Sequence, residues 1–287
     1  MWQAINQQIS EVIGQEFIPQ ERQRLDGGDI HQCFRVSDGI LTFFIKTNDK
    51  EFLPMLVAES DGLEALAKAD IVTVPNVICL GTTKSHCYLV LEYFPLSPID
   101  HATSYTLGRE LAELHRWGEQ KEYGFDLDNY IGCSVQPNGW HKKWSRFFAE
   151  QRIGWQLQLL KEKGIVFTDV DEFVEMICMR LAGHNPKPSL LHGDLWASNV
   201  ARIGQGVIVY DPACYWGDRE CDVAMCNLPD DLYQEFYRGY NEVYPLEEGY
   251  ALRADIYNLY HVLNLCNCLG GHYIEQAQQK ITRLLAE

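Results

Sequence analysis

The sequence contains no run of about 18 consecutive apolar residues, the length that a membrane-spanning helix needs. Residues 1–6 also lack the basic start and apolar core of a secretion signal. Basic residues are few, because 24 Lys and Arg stand against 40 Asp and Glu, for a net charge of −16. No basic stripe is available to neutralise phosphates. We therefore expect a cytoplasmic protein with neither a membrane nor a nucleic acid as its partner.

The ten cysteines include no C-x-x-C pair, and the nearby His261 and His272 complete no recognisable zinc spacing. We therefore expect reduced, mostly buried thiols rather than a metal site. Cys33 is of separate interest because it follows a glycine pair near the predicted nucleotide site described below. The sequence leaves a redox role for Cys33 open.

One segment carries the side chains that phosphoryl transfer needs. Asp194 is followed five residues later by Asn199 and, after a short hydrophobic strand, by Asp211. The first Asp can accept a proton from a substrate hydroxyl, whereas the Asn and the second Asp can hold Mg²⁺ on the phosphates of ATP. We predict that His192 braces the backbone beside this base, and that Gly193 permits the tight turn there.

Hydrophobic periodicity divides the chain into a β-rich part and a helical part. The first part is predicted to hold a helix that ends near Gly14, a hairpin, a strand, a second helix and two more strands. They cover residues 1–14, 25–36, 41–46, 54–69, 77–80 and 88–93. After Pro95 we predict one clear strand at residues 205–210, and helices at residues 107–117, 140–161, 169–182, 231–240, 251–269 and 274–285.

This arrangement predicts an α+β fold with two lobes, similar to that of protein kinases. The small β-rich lobe comprises residues 1–94 and includes the connector, and the larger helical lobe comprises residues 95–287. We expect the small lobe to hold ATP and the helical lobe to carry the catalytic and substrate-binding residues. The sequence leaves the oligomeric state open.

A kinase-like fold needs a positive charge at the ATP phosphates, and a strand lysine held straight by a helix glutamate supplies it. Lys46 ends a predicted strand, and Glu59 lies thirteen residues later in the next predicted helix. Gly27 and Gly28 form a turn one strand before Lys46, where backbone N–H groups could approach phosphates, although most glycine pairs are simply tight turns. The connector could bind adenine through its backbone or be a buried strand; its candidate residues are Glu92, Tyr93 and Phe94.

Two motifs resemble those of the fructosamine kinase (ketoamine kinase) family, in the aminoglycoside-phosphotransferase-like branch of the kinase fold. They are H-G-D-L-W-x-x-N at residues 192–199 and D-P-A-x-Y-x-G-x-R-E-x-D-x-A-M at residues 211–225. Further similarity extends over nearly the whole chain. The resemblance implies ATP-dependent phosphorylation of the sugar 3-hydroxyl of a ketoamine, which is an amine glycated by a reducing sugar. It also implies protein deglycation, with substrates of the fructosamine, ribulosamine or erythrulosamine type.

Residues around these motifs are candidates for substrate contacts and for support. Trp196 and Trp216 could stack on a sugar or an amine, although core packing is the commoner fate of tryptophan. Asp218 or Glu220 could face the cationic amine of the substrate, or could be solvated acids at a helix start. We predict that Asp222, from the following helix, anchors the catalytic loop by accepting backbone hydrogen bonds.

The sequence leaves alternative functions open. The enzyme could phosphorylate another small amine or alcohol, such as an aminoglycoside, choline or homoserine. A nucleotide-binding scaffold without turnover is disfavoured because the candidate catalytic, phosphate-binding and metal-binding residues are all present. A protein kinase is disfavoured because no A-P-E sequence follows Asp211, and the short segment there leaves little room for an activation loop.

Overall fold

The computed structural model describes residues 1–26, 30–226 and 232–286. Helix α1 (Trp2–Ile13) ends at Gly14, whose φ of 71° lies in the left-handed region that glycine adopts without a Cβ penalty. Five strands and one helix follow: β1 (Glu21–Leu25), β2 (Gln32–Ser37), β3 (Thr42–Asp49), α2 (Leu53–Ala67), β4 (Val77–Thr82) and β5 (His86–Glu92). The strands form one antiparallel sheet in the order β1-β2-β3-β5-β4.

The helices α1 and α2 cover opposite faces of this sheet because side chains alternate along each strand. Val90 of β5 belongs to the core that contains Ile9 of α1. Its neighbour Leu89 belongs instead to the core that contains Leu63 of α2. The same alternation in β3 directs Lys46 to the α2 side of the sheet, which is the side that faces the rest of the chain.

Helices dominate the second part of the chain. They are α3 (His101–Arg116), α4 (Trp144–Phe148), α5 (Trp155–Glu162), α6 (Val170–Leu181), α7 (Glu220–Met225), α8 (Gln234–Val243), α9 (Tyr250–Leu269) and α10 (His272–Ala286). A π-helical segment (Ala149–Gly154) joins α4 to α5. The helices predicted from periodicity are therefore present, and the predicted start of one of them at residue 231 lies outside the described residues.

The prediction of a single clear strand in the second part was wrong. Its described residues form three strand pairs: β6 (Asn129–Ile131) with β7 (Ser134–Gln136), β8 (Ser189–Leu191) with β11 (Tyr215–Gly217), and β9 (Val200–Ile203) with β10 (Gly206–Val209). Of these, only β10 lies within the predicted range. The other strands are three or four residues long, so each spans too few residues for a period of two to be recognised.

The expectation that all cysteines are reduced was also wrong for one pair. Cys133, in the turn between β6 and β7, forms a disulfide with Cys268 near the end of α9. The two cysteines are 135 residues apart, so no local spacing could reveal the pair. The remaining eight cysteines are buried thiols, as expected.

Two glycines allow α3 and α8 to pack with their backbones in contact. A Cβ on Gly108 of α3 would lie 2.1 Å from the carbonyl oxygen of Phe236. A Cβ on Gly239 of α8 would lie 2.3 Å from the carbonyl oxygen of Tyr105. Neither contact could accommodate a methyl group without moving a helix, because the opposing atoms belong to the backbone.

The observed architecture confirms an α+β fold with a small sheet-containing part and a larger helical part. The boundary between residues 94 and 95 stays a prediction. No helix in the part of the chain that the structure describes has the length and apolar character needed to cross a bilayer.

We expect the substitution Gly108→Ala to destabilise the protein by about 2–3 kcal/mol, the upper range for overpacking a close contact. Its added methyl group would force α3 away from the Phe236 carbonyl. Urea denaturation followed by circular dichroism measures the change. Gly183→Ala is the control, because a Cβ at Gly183 meets nothing within 4 Å. Equal midpoints for the two variants would contradict this account of the contact.

Candidate active site

A cavity of about 830 Å³ brings together side chains from the sheet and from the helical part. Most residues predicted for the site line it: Lys46, Glu59, Glu92, Tyr93, Phe94, Asp194, Trp196, Asn199 and Asp211. Gly27 and Gly28 lie outside the described residues, although Asp26 and Ile30 on either side of them also line the cavity. The cavity is therefore the candidate active site, and we call it the cleft.

Lys46 joins two carboxylates in the cleft. Its Nζ donates to Glu59 Oε2 at 2.9 Å and to Asp211 Oδ1 at 2.6 Å. Although burial lowers the pKa of Lys46, the two carboxylates raise it above its ordinary value, so the side chain is charged. Burial in turn raises the pKa of Glu59, against the opposing attraction of Lys46. Gly62 permits this closeness, because a Cβ there would lie only 3.1 Å from Cγ of Pro212, beside Asp211.

The loop that carries Asp194 is held by a buried carboxylate. Asp222 of α7 accepts hydrogen bonds from the backbone N–H of His192 at 2.8 Å and of Gly193 at 2.9 Å. His115 Nε2 lies 3.2 Å from the same carboxylate. Although burial raises the pKa of Asp222, His115 and the backbone donors outweigh it and hold the pKa below its ordinary value.

His192 links the Asp194 loop to the strand that leads to Asp211. Its Nε2 lies 3.1 Å from the carbonyl oxygen of Tyr210, which can only accept, so Nε2 carries the proton. Its Nδ1 then accepts from the backbone N–H of Asp194 at 3.3 Å. Burial lowers the pKa of His192, consistent with a neutral ring. The ring therefore joins the backbone of Tyr210 to the backbone of Asp194.

Asp194 and Asn199 are in direct contact. Asn199 Nδ2 donates to the backbone oxygen of Asp194 at 2.9 Å and to its Oδ2 at 3.1 Å. Burial raises the pKa of Asp194 to about 7, helped by the charges of Asp211 and Asp222 and opposed by the Asn199 hydrogen bond. A carboxylate with a pKa near neutrality is well matched to accepting a proton from a hydroxyl.

The donor set in the cleft fits a hard divalent cation. Asn199 uses its amide nitrogen on Asp194, which leaves its Oδ1 for a metal. The side chain of Asp211 remains 45% exposed in the cleft, although one of its oxygens contacts Lys46. Carboxylate and amide oxygens, together with phosphate oxygens, are the ligands that Mg²⁺ prefers.

The structure does not bring Trp216 or Asp218 into the cleft. Trp216 stacks on Trp117, with ring centroids 6.1 Å apart and an interplanar angle of 17°. Asp218 is 1% exposed, and its Oδ2 lies 2.7 Å from His184 Nε2 and 2.6 Å from the Tyr257 hydroxyl. This corrects the expectation that both residues face the substrate. The pairing of β11 with β8 carries this segment into the helical core, where its polar groups find internal partners.

Glu220 is not available to the substrate either, because it forms a two-point ion pair with Arg253 at 2.6 and 2.8 Å. Sequence reasoning missed Asn129, Tyr130 and Gly132, which line the cleft from the hairpin β6–β7. No signal marks these residues in the sequence, because their strand has only three residues. Cys33 also lines the cleft, and burial raises the pKa of its thiol.

Known proteins resemble this chain over its whole length. The profile of a family described as fructosamine kinase matches residues 1–287. A "Probable ketoamine kinase" of Vibrio cholerae serotype O1 is 56% identical over 287 residues, which are 100% of both chains. A crystal structure from Haemophilus somnus 129PT, provisionally assigned as a fructosamine-3-kinase, superposes with a TM-score of 0.95 and 38% identity, over 99% of this chain and 98% of that chain.

A more distant structure shares the fold. It is the aminoglycoside phosphotransferase APH(2")-IIa in a complex with streptomycin and ATP. It is 16% identical to this chain, with a TM-score of 0.63, over 99% of this chain and 96% of that chain. At this identity the likeness concerns the fold alone.

The raised pKa of Asp194 predicts a pH-dependent gain in stability for Asp194→Asn. Because the folded state disfavours the carboxylate, Asp194 lowers the free energy of unfolding increasingly as the pH rises from about 4 to about 7. The variant should therefore have a higher denaturation midpoint than the wild type at pH 8, with a smaller gain at pH 5.

Asp222→Asn is the matched control, and its effect on stability at pH 8 should have the opposite sign. The pKa of Asp222 is lowered, so its carboxylate stabilises the fold above the ordinary pKa of Asp and this stability is lost in acid. The Asn variant should be less stable than the wild type at pH 8. If Asp194→Asn raised the denaturation midpoint equally at pH 5 and pH 8, burial of the Asp194 carboxylate would not explain the gain.

Proposed function

Because this chain belongs to the fructosamine kinase family and is thus an ATP-dependent phosphotransferase, we propose that it phosphorylates a sugar hydroxyl of ketoamines. The observation that carries the proposal is the convergence of Lys46, Asp194, Asn199 and Asp211 in one cleft. The names of the relatives support the ketoamine class of substrate. A cytoplasmic location stays a prediction.

The small lobe and the connector would hold ATP. Lys46, oriented by Glu59, would contact the phosphates, and the backbone of residues 92–94 would bind adenine. The predicted phosphate contact of Gly27 and Gly28 stays part of this proposal. Asn199 and Asp211 would hold Mg²⁺, which when bound neutralises charge on the transferred phosphoryl group.

Asp194 would orient the acceptor hydroxyl and take its proton. The hydroxyl oxygen forms a bond to the γ-phosphorus, the bond from that phosphorus to the bridging oxygen of ADP breaks, and the proton passes to the Asp194 carboxylate. The products are the sugar phosphate, ADP and one proton. Most of the rate gain would come from positioning and electrostatics, because the cleft holds both reacting groups in place.

The part of the cleft beside Asp194 suits a sugar attached to an amine. Trp196 lines the cleft two residues after Asp194, so its ring can stack on a sugar or lie beside a cationic amine. We propose the sugar 3-hydroxyl of fructosamine, ribulosamine or erythrulosamine adducts as the acceptor. Phosphorylation of such adducts is a first step in the repair of glycated amines.

We expect magnesium-dependent release of ADP with at least one of fructoselysine, ribuloselysine and erythruloselysine. Aminoglycosides, choline and homoserine are the competing acceptors in the same screen. Asp194→Asn should lower kcat by about 10²–10⁴-fold, as for loss of a general base, while ATP binding measured by calorimetry is retained. Turnover of a competing acceptor with none of any ketoamine would overturn the proposed substrate.

We expect Glu59→Gln to raise the KM for ATP about tenfold, which corresponds to about 1.4 kcal/mol of lost binding. The variant removes the carboxylate that holds Lys46 toward the phosphates. Glu64→Gln is the control, because Glu64 is an exposed acid on the same helix. Indistinguishable KM values for the two variants would count against the role of Glu59.

A further inference from the structure

A group of buried polar side chains holds the main chain just after Asp211. Gln136 Nε2 donates to the carbonyl oxygen of Ala213 at 3.1 Å. Asn129 Nδ2 donates to the carbonyl oxygen of Cys214 at 2.8 Å. Gln136 Nε2 also donates to Asn129 Oδ1 at 2.7 Å, so the two amides act together. With their supporting residues, this group forms an amide clamp comprising Asn129, Gln136, Asn138, Arg152 and Tyr260.

The supporting residues orient every amide in the clamp the same way. Arg152 donates to Asn138 Oδ1 at 2.7 Å, and Asn138 Nδ2 donates to Asn129 Oδ1 at 3.0 Å. The Tyr260 hydroxyl donates to Gln136 Oε1 at 2.6 Å. Because a guanidinium can only donate, Asn138 Oδ1 must face Arg152, and Asn138 Nδ2 then donates to Asn129 Oδ1. This leaves Asn129 Nδ2 to donate to the Cys214 carbonyl. Such chains of hydrogen bonds strengthen one another in a buried setting.

Arg152 is the charged member of the clamp. It is fully buried, and no carboxylate among the described residues lies within 4.0 Å of its guanidinium nitrogens. Its guanidinium lies 4.1 Å from the ring centroid of Tyr215, and it donates to Asn138 and to the carbonyl oxygen of Pro137. A buried cation without a carboxylate partner depends on its ring contacts and hydrogen bonds, and the hydrogen bond from Arg152 to Asn138 joins it to the rest of the clamp.

The segment that the clamp holds, Ala213 and Cys214, begins two residues after Asp211. The backbone of Asp211 has a φ of 56°, in the left-handed region that residues other than glycine adopt only at a cost in free energy. Before it, Tyr210 is bound to Asn199 and His192. After it, the carbonyl of Ala213 lies against Gly193, where a Cβ would come within 2.1 Å. The clamp therefore sets where the Asp211 turn meets the Asp194 loop.

We propose that the amide clamp is a positioning device for Asp211, holding its carboxylate in the cleft at a set place relative to Asp194. This inference rests on the proposed function, in which Asp211 binds the Mg²⁺ of the nucleotide complex. Gln136 and Arg152 are positioning residues, because they act through the backbone of Ala213 and Cys214. Neither lines the cleft in the part of the chain that the structure describes.

The test uses Gln136→Glu and Gln136→Met, which keep the approximate size of the side chain but remove the N–H donor to Ala213. In the ligand-free protein, hydrogen exchange at the Ala213 amide should become at least tenfold faster. The Mg²⁺ concentration that half-saturates ATP binding should rise about tenfold, while ATP affinity without metal stays unchanged. In the kinase assay, kcat should fall about tenfold, with little change in the KM for the acceptor.

Asn267→Leu is the matched control, because it removes a buried amide of the same region that bonds to Gln156. It should leave exchange at Ala213 and the Mg²⁺ dependence as in the wild type. Wild-type behaviour of both Gln136 variants would overturn the proposal. Global unfolding of both variants would also overturn it, by showing that the clamp is a general core element.

The proposed function can fail without the clamp failing. Exchange at Ala213 and Mg²⁺-dependent ATP binding are measured without an acceptor. If the wild type turns over no ketoamine, only the substrate proposal is lost. If the wild type phosphorylates a ketoamine but the Gln136 variants bind Mg²⁺ and ATP normally, only the clamp proposal is lost.

Discussion

The two hydrogen bonds from the catalytic loop to Asp222 are the contact on which the site depends. They fix the backbone of His192 and Gly193, and so determine the position of the next residue, Asp194. Asp222 and His115 are both buried, so removing the Asp222 carboxylate would leave buried donors without an acceptor. The ring of His192 then contacts the carbonyl oxygen of Tyr210, next to Asp211. The reacting residues are therefore positioned by groups that are too deeply buried to move independently.

The charges in the cleft are unbalanced in the absence of ligand. Glu59, Asp194 and Asp211 are acids, and Lys46 supplies the cation that contacts two of them. Burial raises the pKa of Asp194, and the charges of Asp211 and Asp222 raise it further. A divalent cation at Asn199 and Asp211 would relieve this repulsion.

Much of the site could be predicted from local sequence. Lys46 and Glu59 are placed by the period of a strand and the helix after it, and Asp194, Asn199 and Asp211 lie within eighteen residues of one another. Asp218 and Trp216 belong to the same motif, yet they lie outside the cleft. Motif membership does not reveal which way a side chain faces. The pairing of β11 with β8 decides that, and both strands are too short to recognise in advance.

The sequence by itself indicated the proposed chemistry, because the residue types expected for base, metal and phosphate contacts occur in recognisable local patterns. It also determined the sheet and the long helices, because periodicity is a property of neighbouring residues. Only the tertiary structure showed what holds these groups in place. The carboxylate of Asp222, the amide clamp and the crossing of α3 over α8 each join residues far apart in the chain. Such contacts depend on the geometry of the whole fold, which no local pattern encodes.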